Sequence, residues 1–277
     1  MITIKDLSFS YRKKPVFKGL SLDLQAGHIY GLLGKNGTGK STLLRNMAGF
    51  LFPKDGAINI FGSEPRKRTP AFLSKVFLLP EEFYLPPISI KEWVRHNSPL
   101  YPLFSKEQFD KLIADFDIPA DTRLHEMSYG QQKKLLIAFA LATNAQLLLM
   151  DEPTNGLDIL SKSQFRKVIA GALDEQRCIV ISTHQVKDLE SLIDKVVIID
   201  EGKILFHQSI EAITRQLQFR LSFDAEETKH ALYYETGIKG NALVTQNLDG
   251  EESQPDLEML YKAITSDSKK INAVFTR

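Results

Sequence analysis

Apolar and polar side chains alternate along the first part of the chain. Leu20, Leu22 and Leu24 are separated by polar residues, and this period of two is typical of a half-buried strand. Residues 28–33 form a second apolar run, which a glycine-rich stretch follows. Residues 40–48 then place their leucines and a methionine at helical spacing. The pattern therefore predicts strands, a loop and a helix in this order.

Short apolar runs alternate with helical patterns through the rest of the main region. The expected strands are 57–61, 76–79, 146–150, 178–182 and 196–199, and the expected helices are about 158–173 and 186–192. Buried strands that alternate with helices are typical of a largely parallel sheet covered on both faces. Residues 82–142 are mostly helical in pattern and are expected to form an insertion. Glu201 and Gly202 stand between two apolar runs and predict a two-residue hairpin turn.

The last part of the chain has a different composition. The pattern predicts short strands near 221–223, 232–234 and 242–244, an acidic loop at 249–252 and a final helix at 256–264. We therefore expect two regions, residues 1–206 as the main domain and residues 207–277 as a small α+β appendage. The fold class that we expect is α/β, with a mostly parallel sheet, an N-terminal antiparallel β subdomain and the helical insertion. No motif in the appendage carries chemistry.

Composition and charge narrow the functional classes. Of the 277 residues, 43% are hydrophobic and 25% are charged, which excludes disordered, collagen-like and coiled-coil chains. The 35 basic and 34 acidic side chains leave a net charge of +1, so a broad basic face for nucleic acid is not expected. Cys178 is the single cysteine, which excludes a disulfide framework and a cysteine-rich zinc site. Its apolar neighbours predict a buried thiol.

Signals for membrane insertion and secretion are missing from the pattern. No apolar stretch approaches the roughly 20 residues that cross a bilayer. The first residues lack the basic and then apolar pattern of a signal peptide. We therefore expect a cytoplasmic chain, which a partner has to anchor if the chain works at a membrane.

Residues 34–41 read GKNGTGKS and match the phosphate-binding pattern G-x-x-x-x-G-K-[ST] in full. The glycines let successive amides point inward around an anion, and the helix N-terminus adds partial positive charge. Lys40 is expected to reach the β- and γ-phosphates of a nucleotide, and the Ser41 hydroxyl to ligate Mg²⁺. The alternative is a glycine-rich turn that merely joins strand to helix, and the full match of motif and flanks disfavours it.

Two acidic residues follow the apolar run 147–150. Ligands of open α/β sheets lie beyond the carboxyl ends of the strands, so Asp151 and Glu152 are expected beside the phosphates. Asp151 suits Mg²⁺, which takes one or two carboxylates, and Glu152 suits a general base for an attacking water. The alternative is an ordinary acidic turn at a strand end.

Ser128 and Gln131 form an S-x-x-Q capping box before an apolar helix. Capping boxes start many helices, so this alone is a sufficient explanation of the pattern. The functional interpretation is that the same helix start presents its amides and a hydroxyl to a second phosphate. Both interpretations stay open at this point, since the cap fixes the helix start that an anion would use.

These elements together resemble the nucleotide-binding subunit of an ABC transporter, over about residues 1–206 and in the family's order. The matching segments are the Walker A loop (34–41), the LSGGQ signature (127–131), Walker B with its catalytic glutamate (147–152), the D-loop (155–158), the switch histidine His184 and the adenine-stacking aromatic Tyr11. The resemblance implies a P-loop NTPase core. Signature, histidine and tyrosine are weak signals one by one, but their joint order and spacing are specific.

The resemblance implies a role for each matching residue. Tyr11 stacks on adenine, and the phosphates are held by Asn36, Gly37, Thr38, Gly39, Lys40, Ser41 and Thr42. Mg²⁺ is held by Ser41 and Asp151, with Glu81 as a further candidate. Glu152 activates water, His184 contacts the γ-phosphate, and Lys40 assists the chemistry. The residues that act across a dimer of two such subunits are Ser128, Gly130, Gln131 and Asp158.

Two positions depart from the family's pattern. Tyr129 stands where the signature has its first glycine, so a ring crowds the place that a γ-phosphate approaches. Glu81 follows the strand 76–79, where the family has the Q-loop glutamine. A carboxylate there can ligate Mg²⁺, but two like charges about 4 Å apart repel by about 4 kcal/mol at an effective dielectric of about 20. The alternative is that Glu81 and Glu82 are solvated surface acids.

The function that follows from the resemblance is ATP hydrolysis that powers a membrane transporter, an exporter, through ATP-dependent dimer closure. The expected cofactors are ATP and Mg²⁺. The expected partners are a transmembrane permease and a second nucleotide-binding subunit, with no nucleic acid. The helical insertion is expected to carry the surface for the permease, with residues 85–88 and Trp93 as exposed apolar candidates; the alternative is that they are core.

Two other functional classes stay open on the sequence. A soluble ABC-type ATPase that acts on nucleic acid or ribosomes is disfavoured by the near-neutral charge and the single nucleotide domain. An unrelated P-loop enzyme, such as a small-molecule kinase, is disfavoured because signature, D-loop and histidine follow one another in the family's order.

Overall fold

A computed structural model describes residues 1–119, 121–251 and 253–275, and these fold into three sheets with helices packed on them. The strands are β1 (Ile2–Tyr11), β2 (Lys14–Leu24), β3 (His28–Leu33), β4 (Asp55–Ile60), β5 (Val76–Leu79), β6 (Leu147–Asp151), β7 (Cys178–Thr183), β8 (Lys195–Asp200), β9 (Lys203–Ser209), β10 (Leu217–Ser222), β11 (Tyr233–Gly237) and β12 (Gly240–Gln246). The helices are α1 (Lys40–Met47), α2 (Pro70–Leu73), α3 (Ile90–Asn97), α4 (Lys106–Asp115), α5 (Tyr129–Ala142), α6 (Ile159–Ala172), α7 (Ile210–Gln216), α8 (Ala225–His230), α9 (Leu257–Ser266) and α10 (Ser268–Asn272).

The central sheet has the strand order β5-β6-β7-β3-β8-β9. Its first five strands are parallel, and β9 pairs with β8 in the antiparallel sense. Every residue of β6 and β7 is buried, which explains why both read as continuous apolar runs. The mostly parallel sheet predicted from the sequence is confirmed. The carboxyl ends of β3, β6 and β7 lie side by side, and the functional site is built there.

Apolar side chains cover both faces of the central sheet. Leu148 and Ile179 belong to one core cluster, whereas Leu147 and Cys178 belong to the other. Since neighbouring residues of a strand point to opposite faces, each strand contributes to both clusters. Cys178 is fully buried, as predicted, and burial raises the pKa of its thiol to about 12.

The N-terminal sheet is antiparallel, with β1 between β2 and β4. Ile4 lies opposite Leu22 on one side and Ile58 on the other, and all three side chains are buried. The alternation of apolar and polar residues in β2 therefore reflects one buried and one exposed face, as predicted. At the other end of the main region, the turn between β8 and β9 has positive φ at Glu201 (45°) and Gly202 (72°), which confirms the two-residue hairpin.

The helical insertion contains α3, α4 and α5, and its residue Ala120 lies outside the described residues. Leu85 is buried, and the ring of Trp93 packs 4.6 Å from that of Phe139 on α5. Ile88 also packs against the core. Pro87 is exposed, but the expectation of an exposed apolar surface is wrong for Leu85, Ile88 and Trp93, which lie in or against the core.

The segment after β7 also differs from its prediction. A helix was expected over about 186–192, but only Val186–Asp188 form a turn of 3₁₀ helix. Leu189 and Leu192 are buried, and the amide of Leu192 donates to the carbonyl of Leu189 at 2.8 Å. Consecutive turns satisfy the backbone of this segment, and the amide of Leu189 donates to the carbonyl of Val186 at 3.0 Å.

The C-terminal part contains an antiparallel sheet of order β10-β12-β11 and the helices α7 to α10. The expected domain boundary after residue 206 falls inside β9. The helix predicted over 256–264 is confirmed as α9, and Asp256 is its N-cap. Glu252 of the predicted acidic loop and residues 276–277 lie outside the described residues. Within the described parts of the chain, the helices are too short or too polar for any of them to cross a bilayer.

Candidate nucleotide-binding site

The phosphate loop joins β3 to α1 at the carboxyl edge of the central sheet. Its glycines Gly37 and Gly39 have φ values of 85° and 109°, which L side chains rarely adopt. A Cβ at Gly39 would also lie 2.6 Å from the ring of Phe17. The loop therefore needs glycine at this position both for its backbone conformation and for space.

Lys40 lies at the base of this loop and is 6% exposed. Its Nζ donates to the carbonyl oxygens of Gly34 at 2.6 Å and Lys35 at 3.2 Å, and lies 3.8 Å from Oε1 of Glu152. Burial lowers the pKa of Lys40, and the carboxylates of Glu152, Asp151 and Glu81 oppose that shift. The amine is thus held between the loop and the acidic strand end.

Asp151 and Glu152 are both 3% exposed at the end of β6. The hydroxyl of Ser182 on the neighbouring strand donates to Oδ1 of Asp151. Glu152 has a positive φ of 46°, and its amide donates to the carbonyl of Ser182 at 3.0 Å. Positive φ is uncommon for a non-glycine residue, and here it turns the chain sharply where the strand ends.

His184 contacts the second of these carboxylates. Its Nδ1 lies 2.7 Å from Oε1 of Glu152, a charge-assisted hydrogen bond when the imidazole is protonated. Among the described residues, Oε2 of Glu152 is buried without a hydrogen-bond partner. A buried carboxylate oxygen without a partner can accept a hydrogen bond from a water molecule or a proton from it.

One cavity of about 560 Å³ brings most of the predicted residues together. Its volume lies within the range of small-molecule and cofactor sites. Tyr11 and Thr42 lie in its lining; Tyr11 is 43% exposed, and its hydroxyl is 3.4 Å from that of Thr42. The other predicted residues in the lining are Asn36, Gly37, Thr38, Gly39, Lys40, Ser41, Glu81 and Glu152.

Glu81 is exposed and contributes to this lining. Its Oε1 accepts a hydrogen bond from Nδ2 of Asn155 at 3.2 Å. The carboxylate therefore lies between the cavity and the D-loop, and its charge acts on Lys40.

Residues of the signature lie outside the cavity. Ser128 and Gln131 form the capping box of α5, in which Ser128 accepts from the Gln131 amide and Gln131 Oε1 accepts from the Ser128 amide at 2.9 Å. The predicted cap is confirmed. The hydroxyl of Tyr129 donates to the carbonyl of Glu81. A Cβ at Gly130 would lie 3.2 Å from the carbonyl oxygen of Gly156.

Asp158 is a helix cap as well and is not part of the cavity. Its Oδ1 accepts from the Ser161 amide at 2.8 Å, at the start of α6. Its Oδ2 accepts from the Ser161 hydroxyl at 3.1 Å. The bond from the Ser161 amide is the main reason why the pKa of Asp158 is lowered.

Lys133 is a functional candidate that the sequence did not reveal. It is fully buried on α5, and its Nζ donates to the backbone carbonyls of Glu152 at 2.7 Å and Asn155 at 3.1 Å. Burial lowers its pKa from 10.5 to about 8. Lys133 thus holds the segment between the Walker B carboxylates and the D-loop. The sequence shows two adjacent lysines here, and nothing in their pattern says which one is buried.

The fold and the phosphate loop define a P-loop nucleotide-binding protein. The ABC transporter family matches residues 17–155, from β2 to the segment after β6. The chain belongs to this family and is one of its ATP-binding subunits. Such subunits are generally ATPases and work with transmembrane permease components.

Relatives support the assignment over most of the chain. The bacitracin transport ATP-binding protein BcrA of Bacillus licheniformis is 30% identical over 237 residues, which cover 84% of this chain and 77% of that protein. The cobalt import ATP-binding protein CbiO of Salmonella typhi is 32% identical over 220 residues, 75% of this chain and 80% of that protein. A solved ATP-binding subunit of an ABC transporter superposes with a TM-score of 0.71 at 25% identity, covering 78% of this chain and 92% of that chain.

Proposed function

We propose that this chain binds ATP with Mg²⁺, hydrolyses it and drives an exporting permease from the cytoplasmic face of the membrane. The observation that carries the proposal is the cavity that joins Lys40 to Glu152, whose carboxylate lies 2.7 Å from His184. A group that binds phosphate and a group that accepts a proton thus border the same space. Phosphoryl transfer to water needs both.

Glu152 is the residue that we assign to activation of the attacking water. Its Oε1 is engaged by His184, whereas Oε2 has no partner in the described part of the chain and can accept the proton. His184 orients the carboxylate through Nδ1, so its Nε2 is the atom assigned to the γ-phosphate. Lys40 offsets the negative charge of the transferred phosphoryl group.

Ser41 and Asp151 are the residues that we assign to Mg²⁺. Among the described residues, no group of three or more His, Cys, Asp or Glu side chains could hold a metal ion alone. Mg²⁺ in nucleotide sites is usually bound by one or two carboxylates, phosphate oxygens and water. One hydroxyl and one buried carboxylate, with phosphate oxygens and water in the remaining positions, fit that ion. When bound, it offsets charge on the phosphates.

We assign the remaining lining residues of the cavity to adenine and the phosphates. Tyr11 lies in this lining and offers an exposed ring to a base. The amides and side chains that we assign to the phosphates belong to Asn36, Gly37, Thr38, Gly39, Lys40, Ser41 and Thr42.

A second nucleotide-binding subunit completes the site in this proposal. Ser128, Gly130 and Gln131 lie at the start of α5, outside the chain's own cavity. Asp158 also lies outside it. The capping box already bonds the amides of Ser128 and Gln131. The partial positive charge of a helix start still favours a phosphate there, in this case one that the partner subunit holds. We therefore propose head-to-tail pairing, in which ATP joins the two subunits and hydrolysis separates them.

An apolar groove of about 710 Å³ is the surface that we assign to the permease. Its lining includes Phe50 and Leu100, which are 59% and 65% exposed. Its lining also includes Val76 and Leu78 of β5, the strand that leads to Glu81. Large exposed apolar side chains mark interaction sites, and a permease segment in this groove would lie next to the strand that ends at the cavity.

Glu152→Gln tests the proposed chemistry. The amide cannot accept the proton, so we expect MgATP to bind while hydrolysis slows at least about a hundredfold and an ATP-bound dimer accumulates. The matched control is Glu175→Gln, an exposed carboxylate in the turn before β7, which should hydrolyse ATP like the wild type. Normal turnover by Glu152→Gln would remove Glu152 from the role of base.

The permease and the direction of transport need a separate measurement. One relative is named for bacitracin transport and another for cobalt import, so the family alone fixes no direction. Co-purification of the chain with a polytopic membrane protein from detergent-solubilised membranes would support the permease. Substrate accumulation in inverted membrane vesicles on addition of ATP would support export, and ATP-driven loss from them would contradict it.

A further inference from the structure

Helix α9 reaches from the C-terminal part of the chain to the phosphate loop. The hydroxyl oxygen of Tyr261 on α9 accepts a hydrogen bond from the backbone amide of Lys35 at 3.2 Å. The two residues are 226 positions apart in the chain. The family match ends at residue 155, so this contact comes from a region that the match does not cover.

The position of Tyr261 is fixed by the packing of its helix. Asp256 caps α9 by accepting from the Met259 amide at 2.8 Å. Leu257, Leu260 and Ile264 are fully buried, so α9 cannot turn about its axis without losing core contacts. Burial, with the charge of Asp200, raises the pKa of Tyr261, and its hydroxyl stays protonated at neutral pH.

The same helix contacts the segment that follows His184. Oε1 of Glu190 accepts from the amide of Leu257, the first residue of α9, at 2.8 Å. Glu258 pairs with Lys187 at 3.0 Å, and this pairing lowers the pKa of Glu258. The helix therefore touches the phosphate loop on one side and the segment after the switch histidine on the other.

Outward contacts connect α9 to the C-terminal sheet. Lys262 pairs with Glu235 of β11 at 3.0 Å and with Glu258 of its own helix at 3.2 Å. A continuous set of contacts thus runs from β11 through α9 to the loop that carries Lys40.

We propose that Tyr261 is a positioning residue for the phosphate loop and that, through α9, the C-terminal part of the chain sets the affinity for nucleotide. The proposal rests on the proposed function of the same site. The loop binds phosphate through the direction of its amides, and a bond that holds the Lys35 peptide unit restricts the conformations of the loop before nucleotide binds. Restriction of a binding loop to its bound shape raises affinity, because less entropy is lost on binding.

Tyr261→Phe tests this proposal because it removes one oxygen and keeps the ring. We expect the Kd for MgADP, measured by calorimetry, and the KM for MgATP to rise about three- to tenfold, which is the range of one hydrogen bond. The value of kcat should stay within about twofold, since no catalytic group moves. Hydrogen exchange of the peptide that contains Lys35 should become faster.

The matched control is Tyr234→Phe in the same part of the chain. Tyr234 is 51% exposed on β11 and lies outside the contacts that join β11, Lys262 and the phosphate loop. We expect wild-type Kd, KM and exchange of the Lys35 peptide in this variant. Thermal denaturation of both variants separates a loss of stability from a change at the loop.

The possible results separate this inference from the proposed function. An unchanged Kd in Tyr261→Phe, or an equal rise in both variants, would overturn the role of Tyr261 and leave the ATPase proposal intact. Wild-type protein that binds MgADP but never hydrolyses ATP would overturn the proposed chemistry, while a weaker Kd in Tyr261→Phe would still support the positioning role. Absence of nucleotide binding by the wild type would overturn both.

Discussion

The phenolic hydroxyl of Tyr129 donates a 2.7 Å hydrogen bond to the backbone carbonyl of Glu81. The Tyr129 ring stacks on Phe83, with centroids 5.2 Å apart and planes inclined by 11°. A Cβ at Gly156 would lie 2.7 Å from the same ring, so the D-loop packs against it. The ring that replaces the first glycine of the signature therefore joins the start of α5 to the segments that follow β5 and β6.

Tyr129→Phe should lower the free energy of unfolding by about 0.5–1.5 kcal/mol, because it removes the hydrogen bond and keeps the stacked ring. Tyr129→Gly should cost more, since it also removes the ring and adds backbone freedom to the helix start. Urea denaturation measures both. The control is Tyr84→Phe, whose side chain is 85% exposed in the same segment. Equal stability of Tyr129→Phe and Tyr84→Phe would show that the bond to Glu81 contributes nothing.

The buried amine of Lys133 should make stability depend on pH in a defined direction. Its pKa is about 8 in the folded chain and 10.5 in its ordinary state. Between these values the unfolded chain holds a proton that the folded chain has released, so stability rises with pH. Relative to Lys133→Met, the free energy of unfolding of the wild type should rise by up to about 3 kcal/mol between about pH 7 and pH 10.5.

The control for this pH dependence is Lys134→Met. Lys134 is the adjacent lysine on α5, and it is only half-buried with its amine bonded to the carbonyl of Phe116. The same pH series on this variant shows how much of any change comes from the loss of a lysine on α5 in general. If urea denaturation gives the same difference in free energy of unfolding between wild type and Lys133→Met over this whole pH range, the lowered pKa of Lys133 is contradicted.

Strands of the central sheet could be predicted because each carries its own pattern. The apolar run at 76–79 matches Val76–Leu79, since a buried strand needs only apolar residues between two turns. The segment at 186–192 was predicted as a helix and is not one, because Leu189 and Leu192 can be buried in the core without a helical backbone. The packing of Trp93 against the core could not be predicted either, since it depends on Phe139. That residue is 46 positions away, and no local pattern records the contact.

Motif residues of the candidate site could be located because their spacing is local. Lys40 and Glu152 come from segments more than 100 residues apart, and the parallel order of β3, β7 and β6 brings both to one edge. Lys133 and Tyr261 could not be found, because each acts through hydrogen bonds with the backbone of a segment distant in sequence. Tyr129 was recognised as a departure, but its bond to Glu81 requires the folded path of both segments.

Glu81→Gln should raise the Mg²⁺ concentration for half-maximal ATPase activity about fivefold, because a neutral amide oxygen is a weaker ligand than a carboxylate. The amide keeps an oxygen for Asn155, so the contact to the D-loop can persist. The neighbouring exposed acid provides the control Glu82→Gln, which lies outside the cavity and should leave the Mg²⁺ curve unchanged. Superimposable curves for wild type and Glu81→Gln would place Glu81 away from the metal.

Leu100 and Leu103 offer a matched pair for the proposed permease groove. Their side chains are 65% and 68% exposed, but only Leu100 lies in the groove. Leu100→Asp would leave an unpaired charge against an apolar partner, so we expect at least about tenfold weaker association with the permease and loss of permease-stimulated ATPase activity. Leu103→Asp should retain both.

Both leucine substitutions are at exposed positions, and similar melting temperatures of the two variants would show that the fold is kept. Association is measured by co-purification of each variant with the permease from solubilised membranes, and stimulation by ATPase assays in proteoliposomes. Because the groove borders β5, weaker association of Leu100→Asp should be accompanied by loss of stimulation. Equal association of the two variants would show that the permease binds another surface of the subunit.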